Sequence, residues 1–177
     1  MSGSEFLFME KGDFRMNSKE AVVTAVCISE RKGEQKHPVE EVELKVDWGI
    51  VGDAHAGNWH RQVSVLGCDS VRTLQEKLPD YKLEPGAFAE NVLVDGITVY
   101  RLPVGTRLAL GETAEAEVTQ IGKQCHNDCV IRQKAGDCVM PREGIFVKIV
   151  KPGFLKAGDT VRVIGEPENR ANNSRKY

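Results

Sequence analysis

Short stretches of alternating apolar and polar residues recur along this chain. Residues 114–121 alternate small or apolar side chains with polar ones, a pattern typical of a strand with one solvated face. Residues 21–28 are rich in β-branched side chains, which also favours a strand. In residues 39–46 the predicted apolar face consists of Val42, Leu44 and Val46. Further strands are predicted at residues 62–66, 92–94 and 144–150, and after glycine turns within residues 103–111 and 155–164.

One segment, residues 68–78, has the helical period instead. Its apolar side chains are spaced i, i+3 and i+7, which predicts a helix with one buried stripe. Asp69 or Ser70 is suited to cap its first turn. The predicted stripe consists of Val71, Leu74 and Leu78.

These elements favour one fold class. Many short strands, frequent turns and a single clear helix predict a mainly β protein, a barrel with helices closing its ends. Asp95-Gly96 is a typical hairpin turn at the end of one predicted strand. A chain of 177 residues can bury its own core, so we expect a single domain.

Composition and charge narrow the possible partners and the compartment. A formal net charge of −2 gives no reason to expect nucleic acid or an anionic membrane as a partner. The apolar runs are far shorter than a bilayer span, and no secretory signal is recognised. Five irregularly spaced cysteines argue against a secreted disulfide framework. We therefore expect a cytoplasmic protein.

The densest group of reactive side chains surrounds Cys125, in a loop just past the strand predicted at residues 114–121. Its neighbours in sequence are Lys123, His126 and Arg132. Nearby cations favour the thiolate, which is the nucleophilic and metal-binding form of cysteine. The alternative is that Cys125 is a small buried hydrophobic residue. The polar surroundings make that alternative weaker for Cys125 than for Cys27 or Cys68.

A second candidate region is the glycine-rich segment of residues 48–66. Glycines let a backbone wrap closely around a ligand, and polar side chains here could line the resulting pocket. Those side chains are Asp53, His55, His60 and Arg61. The structural alternative is a turn in which Asp53 accepts hydrogen bonds from its own backbone.

A third candidate is the pair Glu90-Asn91, which directly precedes a predicted strand. The amide of Asn91 could bind a ligand, or it could fix the loop by hydrogen bonds to backbone groups. The sequence alone favours the second role.

Five short motifs, taken in order, carry a family resemblance. They are Gly52-Asp-Ala-His-Ala-Gly, Arg61-Gln-Val-Ser-Val-Leu, Ala87-Phe-Ala-Glu-Asn-Val, Cys125 and Gly158-Asp-Thr-Val. Together they resemble the MOSC domain, which is named for the C-terminal domain of molybdenum cofactor sulfurases and also occurs as small stand-alone bacterial proteins. The resemblance runs from about residue 22 to residue 164. Two positions depart from it: Gln124 stands where proline or arginine is frequent, and Ala89 where glycine is common.

The resemblance implies a MOSC-type β-barrel with a few short helices, and a signature cysteine at Cys125. In the family this cysteine is thought to carry sulfur as a persulfide or to ligate molybdenum of a bound pterin cofactor, molybdopterin. It also implies a cofactor pocket formed by Asp53, His55, Arg61, Glu90 and Asn91. A pterin phosphate needs cationic or N–H donors, and Arg61, Arg132 and Lys123 are candidates.

The resemblance implies three related functions: a sulfur carrier in cofactor sulfuration or biosynthesis, a cofactor-binding domain, or a molybdenum-dependent reductase of N-hydroxylated compounds. A carrier would need a sulfur donor, such as a cysteine desulfurase or another cofactor-biosynthesis protein. Under this hypothesis residues 17–165 form a single MOSC domain. Residues 1–16 are then expected to be a disordered leader or tag, and residues 166–177 a disordered tail.

Two hypotheses of other classes remain open. Cys125, Cys129 and Cys138, with His126 or His55, could form a tetrahedral zinc site, although their spacing lacks the usual paired knuckles. Alternatively, Cys125 and Cys129 could be the attacking and resolving thiols of a redox sensor.

Overall fold

The structure is a computed structural model that describes residues 20–124 and 129–167. Three predictions fall outside this part of the chain: the leader at residues 1–16, the loop position of Cys125 with His126, and the tail beyond residue 167. Glu166 and Pro167, the first residues of the predicted tail, are described and belong to no helix or strand.

Eleven strands, three short α-helices and one 3-10 helix (Val99–Arg101) are found in the described residues. The strands are β1 (Ala21–Ile28), β2 (His37–Val39), β3 (Glu41–Lys45), β4 (Gly49–Ile50), β5 (Val63–Gly67), β6 (Val92–Asp95), β7 (Arg107–Leu110), β8 (Ala114–Ile121), β9 (Ile145–Lys151), β10 (Gly153–Lys156) and β11 (Thr160–Gly165). The helices are α1 (Cys68–Gln75), α2 (Val130–Ala135) and α3 (Met140–Glu143). The strands predicted at residues 21–28 and 114–121 are confirmed with their limits as β1 and β8.

Seven of the strands close into a barrel. Each hydrogen-bonds to the next in the order β11-β7-β8-β9-β5-β6-β1, and β11 returns to β1 through the residue pairs Ala21–Val161 and Val22–Thr160. β2 extends the sheet from β1, while β10, β3 and β4 form a separate three-stranded sheet. The prediction of a mainly β, barrel-type fold with a few short helices is confirmed.

Alternation along the strands separates two buried clusters. Inside the barrel, side chains such as Val23, Val65 and Val92 form the main core, as expected for inward-facing positions. Leu66 and Leu93, whose side chains take the opposite direction, belong to a second cluster with residues of the helices. The three α-helices therefore cover an outer face of the barrel, whereas the 3-10 helix Val99–Arg101 adds Val99 to the main core. The closing of the barrel ends by helices stays a prediction.

The β5–α1–β6 unit explains two further corrections. β5 and β6 pair in parallel, and parallel neighbours need a crossover connection, which here contains α1. β6 pairs with β5 and β1, so Asp95-Gly96 is not a hairpin turn. The residue at the N-cap of α1 is Gly67, which has no side chain to cap the helix, so neither predicted cap is confirmed. Asp69 lies inside the first turn, where its carboxylate accepts the Ser70 N–H and the Thr98 hydroxyl.

The remaining strand predictions differ from the structure at their limits. The apolar face predicted for residues 39–46 is buried at Val42 and Leu44, but Val46 lies past the end of β3 and is exposed. α1 ends at Gln75, and Leu78 is buried in the turn that follows it. In the described residues, no helix is long and apolar enough to span a bilayer.

Candidate functional site

A cavity of about 720 Å³ opens where several barrel strands begin or end. Its walls come from the loops that follow β1 and β8 and from the segments that precede β5 and β6, so distant parts of the sequence meet there. An apolar side is formed by members of the outer cluster, namely Phe88, Cys138, Met140 and Phe146. The polar lining includes Lys36, His55, Arg61, Ser64, Asn91, Lys123 and Gln124.

Arg61 occupies the aromatic part of the cavity wall. Its guanidinium carbon is 4.8 Å from the ring centroid of Trp59 and 5.6 Å from that of Phe146, so cation–π attraction holds it between the two rings. Arg61 has no carboxylate partner among the described residues, and its buried Nε has no hydrogen-bond partner there. A planar cation with unused donors is suited to bind an oxyanion.

A buried ion pair lies behind another part of the wall. The side chain of Lys36 is 1% exposed, and its ammonium donates to the Asp53 carboxylate. Asp53 also accepts the backbone N–H of Ser29 at 3.1 Å and that of His55 at 3.0 Å. Asp53 thus forms the turn described as the structural alternative, in which its carboxylate accepts the backbone N–H of the residue two positions later. It also balances the charge of the buried Lys36.

His55 lines the cavity next to this pair. Its Nδ1 is 3.3 Å from Lys36 Nζ, and its backbone carbonyl accepts the indole N–H of Trp59 at 2.9 Å. Burial lowers the pKa of His55 below its usual 6.5, and the positive charge of Lys36 lowers it further. The imidazole is therefore neutral near pH 7.

Glu90 is fully buried and shapes the turn before β6. Its carboxylate accepts the backbone N–H of Gly86 at 2.7 Å and that of Phe88 at 3.0 Å. Burial raises the pKa of Glu90, while these hydrogen bonds and the charge of Lys36 oppose that rise. Ala89, which follows Phe88 and precedes β6, has a positive φ of 61°. This left-handed conformation favours glycine, the residue common at this position in the family motif.

Asn91 connects three strands at the cavity edge. Its side-chain oxygen accepts the backbone N–H of Ser64 at 3.1 Å and the Ser64 hydroxyl at 3.0 Å. Its amide nitrogen donates to the carbonyl of Cys27 at 3.1 Å. These bonds give Asn91 the loop-fixing role that the sequence favours, and its role toward a cofactor stays a prediction.

Four of the predicted site residues meet at the cavity. His55, Arg61, Asn91 and Lys123 line it. Asp53 and Glu90 are buried behind its walls, and the exposed Arg132, on α2, is not part of the lining. Cys125 lies outside the described residues.

The structure adds Lys36 and Trp59 to the residues expected from the sequence. Trp59 stands inside the glycine-rich segment, two positions before Arg61, and an aromatic residue so close to a candidate cation was a usable signal. No comparable signal marks Lys36 in the sequence, because it is one of several charged residues in a loop.

Four cysteines are described, and they fall into two pairs. Cys129 and Cys138 line the cavity, Cys129 exposed and Cys138 buried at the cavity face of the outer cluster. Cys27 and Cys68 are buried in the outer cluster. Burial, and then the charge of Glu90, raise the pKa of Cys27 to about 12, and burial also raises that of Cys68.

These environments predict the order in which the thiols react. At pH 8 we expect limiting iodoacetamide to label Cys125 and the exposed Cys129 well before Cys27 and Cys68, because buried thiols with raised pKa values hold little thiolate. Peptide mass spectrometry measures the order of labelling. The control is the same reaction in denaturant, where all five cysteines should be labelled at similar rates. Early labelling of Cys27 in the native protein would contradict the assignment.

The zinc hypothesis and the redox hypothesis both depend on the loop that contains Cys125. Among the described residues, no three His, Cys, Asp or Glu side chains are placed to hold a metal ion. Both the predicted zinc site and the predicted redox pair include Cys125, outside the described residues, so they stay predictions.

Comparison with known proteins gives a family and a fold. A family model described as the MOSC domain matches residues 52–162. Among solved structures, the YUAD protein from Bacillus subtilis is 17% identical with a TM-score of 0.61, and the alignment covers 80% of this chain and 94% of that one. YiiM from Geobacillus stearothermophilus is 15% identical with a TM-score of 0.61, covering 82% and 75%. YiiM from Escherichia coli is 19% identical with a TM-score of 0.60, covering 84% and 71%. No curated protein sequence matches.

Proposed function

Because the chain belongs to the MOSC domain family, a family associated with molybdenum cofactor sulfurases, we propose that it binds a molybdenum cofactor in its cavity. In this proposal Cys125 carries sulfur for the cofactor or ligates its metal. When bound, the cofactor supplies two-electron redox chemistry, which a reductase of N-hydroxylated compounds requires.

The observation that carries the proposal is the environment of Arg61. A guanidinium held between Trp59 and Phe146, with a buried Nε that no described group satisfies, is an orphaned donor in a cavity wall. Leaving such a donor unpaired costs free energy that a bound oxyanion would recover. The phosphate of a pterin cofactor is an oxyanion of this kind, and an arginine can bind it through two parallel hydrogen bonds.

The other lining residues fit the same ligand. Lys123 has no ion-pair partner in the described part of the chain, so its charge is available to an anion. The aromatic and thioether side chains of Phe88, Phe146 and Met140 offer an apolar surface to a flat ring system. A volume of about 720 Å³ is within the range of ligand pockets.

Cys125 is the proposed sulfur carrier because of its place in the sequence. It directly follows Lys123 and Gln124, both of which line the cavity. In the proposed loading step, the Cys125 thiolate attacks the outer sulfur of a cysteine persulfide on a donor protein. A new sulfur–sulfur bond forms at Cys125, the donor's sulfur–sulfur bond breaks, and the donor leaves as a thiolate. A cysteine desulfurase, or another cofactor-biosynthesis protein that holds a cysteine persulfide, is the donor class that fits this chemistry.

The proposal is tested by the cofactor content of variants made in a host that synthesises the cofactor. We expect Arg61→Ala to lose about 10-fold or more of the pterin bound by the parent protein, since a charged hydrogen bond contributes about 1.5–3 kcal/mol. Arg162→Ala, at an exposed position on β11, is the matched control and should retain it. Pterin is measured by its fluorescence after oxidation, and equal content in both variants would contradict the proposal.

A second measurement separates this function from a zinc module. We expect Cys125→Ala to abolish the bound pterin or the bound sulfur, with milder effects of Cys129→Ala and Cys138→Ala. A structural zinc site would behave differently, because all three substitutions would lose metal and folding together. Equal loss of stoichiometric zinc in the three variants, with no pterin or persulfide on the parent, would overturn the proposal.

A further inference from the structure

The buried Lys36 lies against His55 in the cavity wall. We propose that Lys36 holds the imidazole of His55 in the tautomer protonated at Nε2, so that His55 offers an N–H donor to the ligand of the cavity. Lys36 is then a positioning residue, because it acts through His55. The ligand contact rests on the function proposed above, whereas the tautomer is a property of the protein alone.

The hydrogen bonds of Lys36 determine which nitrogen of His55 accepts. Lys36 Nζ is within hydrogen-bond distance of three groups: Asp53 Oδ1, Ser29 Oγ at 3.3 Å, and His55 Nδ1 at 3.3 Å. A buried charge must be paired, and the Asp53 carboxylate favours the ammonium form of the lysine. An ammonium has three N–H donors and no acceptor, so all three contacts are donations from Lys36. Nδ1 of His55 is therefore an acceptor and carries no proton.

The opposite tautomer would leave its proton without an acceptor. A proton on Nδ1 would face the donors of the ammonium. The nearest carboxylate oxygen, Asp53 Oδ2, is 3.8 Å from Nδ1, beyond hydrogen-bond range, and it already accepts the backbone N–H of His55 at 3.0 Å. Of the two neutral forms, only the one protonated at Nε2 satisfies this environment.

Nε2 is the ring nitrogen left for a ligand. It has no hydrogen-bond partner in the described part of the chain, and the His55 side chain is 32% exposed at the cavity wall. Burial and the charges of Lys36, Lys123 and Lys32 lower the pKa of His55, while Asp53 raises it. The net lowering keeps the ring neutral near pH 7, so the donor at Nε2 is present without a further positive charge.

The tautomer is measured on the full chain without any cofactor. Long-range proton–nitrogen correlation spectra of ¹⁵N-labelled protein at pH 7.5 distinguish the two neutral forms, and His55→Gln identifies the His55 signals. We expect the Nε2–H pattern for His55, with a titration midpoint below 6.5. Lys36→Met keeps the chain length but removes the ammonium, and should give mixed tautomers and a higher midpoint. An Nδ1–H pattern in the parent protein would overturn the proposal whether or not this variant folds.

The ligand contact is tested by comparing the pterin content of two variants at position 55, one that keeps a nitrogen at the position of Nε2 and one that does not. The amide nitrogen of glutamine can replace Nε2, whereas that of asparagine reaches only the position of Nδ1. We expect His55→Gln to keep pterin within about 3-fold of the parent protein, and His55→Asn to lose about 10-fold, the effect of one hydrogen bond. Equal retention would exclude the contact. A parent protein without pterin would contradict the proposed function and the contact, while the tautomer spectrum would still stand.

Discussion

Replacing Asp53 with asparagine is expected to destabilise the protein by about 3–5 kcal/mol, because it leaves the buried ammonium of Lys36 without its counter-charge. The substitution keeps the shape of the side chain, so the loss reports the charge rather than packing. Denaturant unfolding followed by circular dichroism measures the change in the free energy of unfolding.

A matched control for this prediction is Asp95→Asn. Asp95 pairs with Arg72 at 2.6 Å, but both side chains are largely exposed, and exposed pairs contribute about 1 kcal/mol or less. The double variant Lys36→Met/Asp53→Leu removes both buried charges and should lose less stability than Asp53→Asn alone. If Asp53→Asn cost no more than Asp95→Asn, the lysine would not depend on Asp53 for its charge balance.

Gly86→Ala is expected to destabilise the protein by about 3 kcal/mol or more. Gly86 has a φ of +89°, and a Cβ there would lie 2.1 Å from the backbone oxygen of Lys36. The left-handed conformation costs an alanine about 1–2 kcal/mol, and over-packing against fixed backbone adds about 1–3 kcal/mol. Denaturant unfolding again measures the change in the free energy of unfolding. The tautomer spectrum of His55 shows whether the cavity wall keeps its structure in the variant.

Gly33→Ala separates the two causes. Gly33 has a φ of +86°, nearly that of Gly86, yet no atom lies within 4 Å of its added Cβ. It should therefore show the conformational cost alone, about 1–2 kcal/mol. Equal losses at the two glycines would mean that the loop at Gly86 moves away from Lys36 at little cost.

Much of the barrel was predictable because its strands bury one face. β1 and β8 have the limits expected from their residue patterns, and the long alternation along β8 left little freedom in its register. The pairing of those strands was not predictable in the same way. Nothing in residues 63–67 or 92–95 indicates that β5 and β6 run parallel, since an apolar run has the same composition in either direction.

The candidate site was predictable where a segment has an unusual composition. The glycine-rich loop placed His55 and Arg61 in a polar pocket, and both line the cavity. Lys36 was missed because its role comes from burial and from three acceptors brought together by folding, which no local pattern records. α2 was missed as well, because a helix of six residues is too short to show a helical period.

The pairing of β1 with β11, which closes the barrel, determines when the fold can be completed. β1 is the first strand of the described chain and β11 the last, yet they are neighbours in the closed sheet. On the ribosome β1 is synthesised before β11, and nearly all of the described chain separates the two strands. Until β11 is in place, the edge of β7 and the Ala21–Val22 end of the β1 edge, beyond the residues paired with β2, are open to other chains. Barrel closure therefore depends on contacts between distant parts of the sequence, which are slow to form.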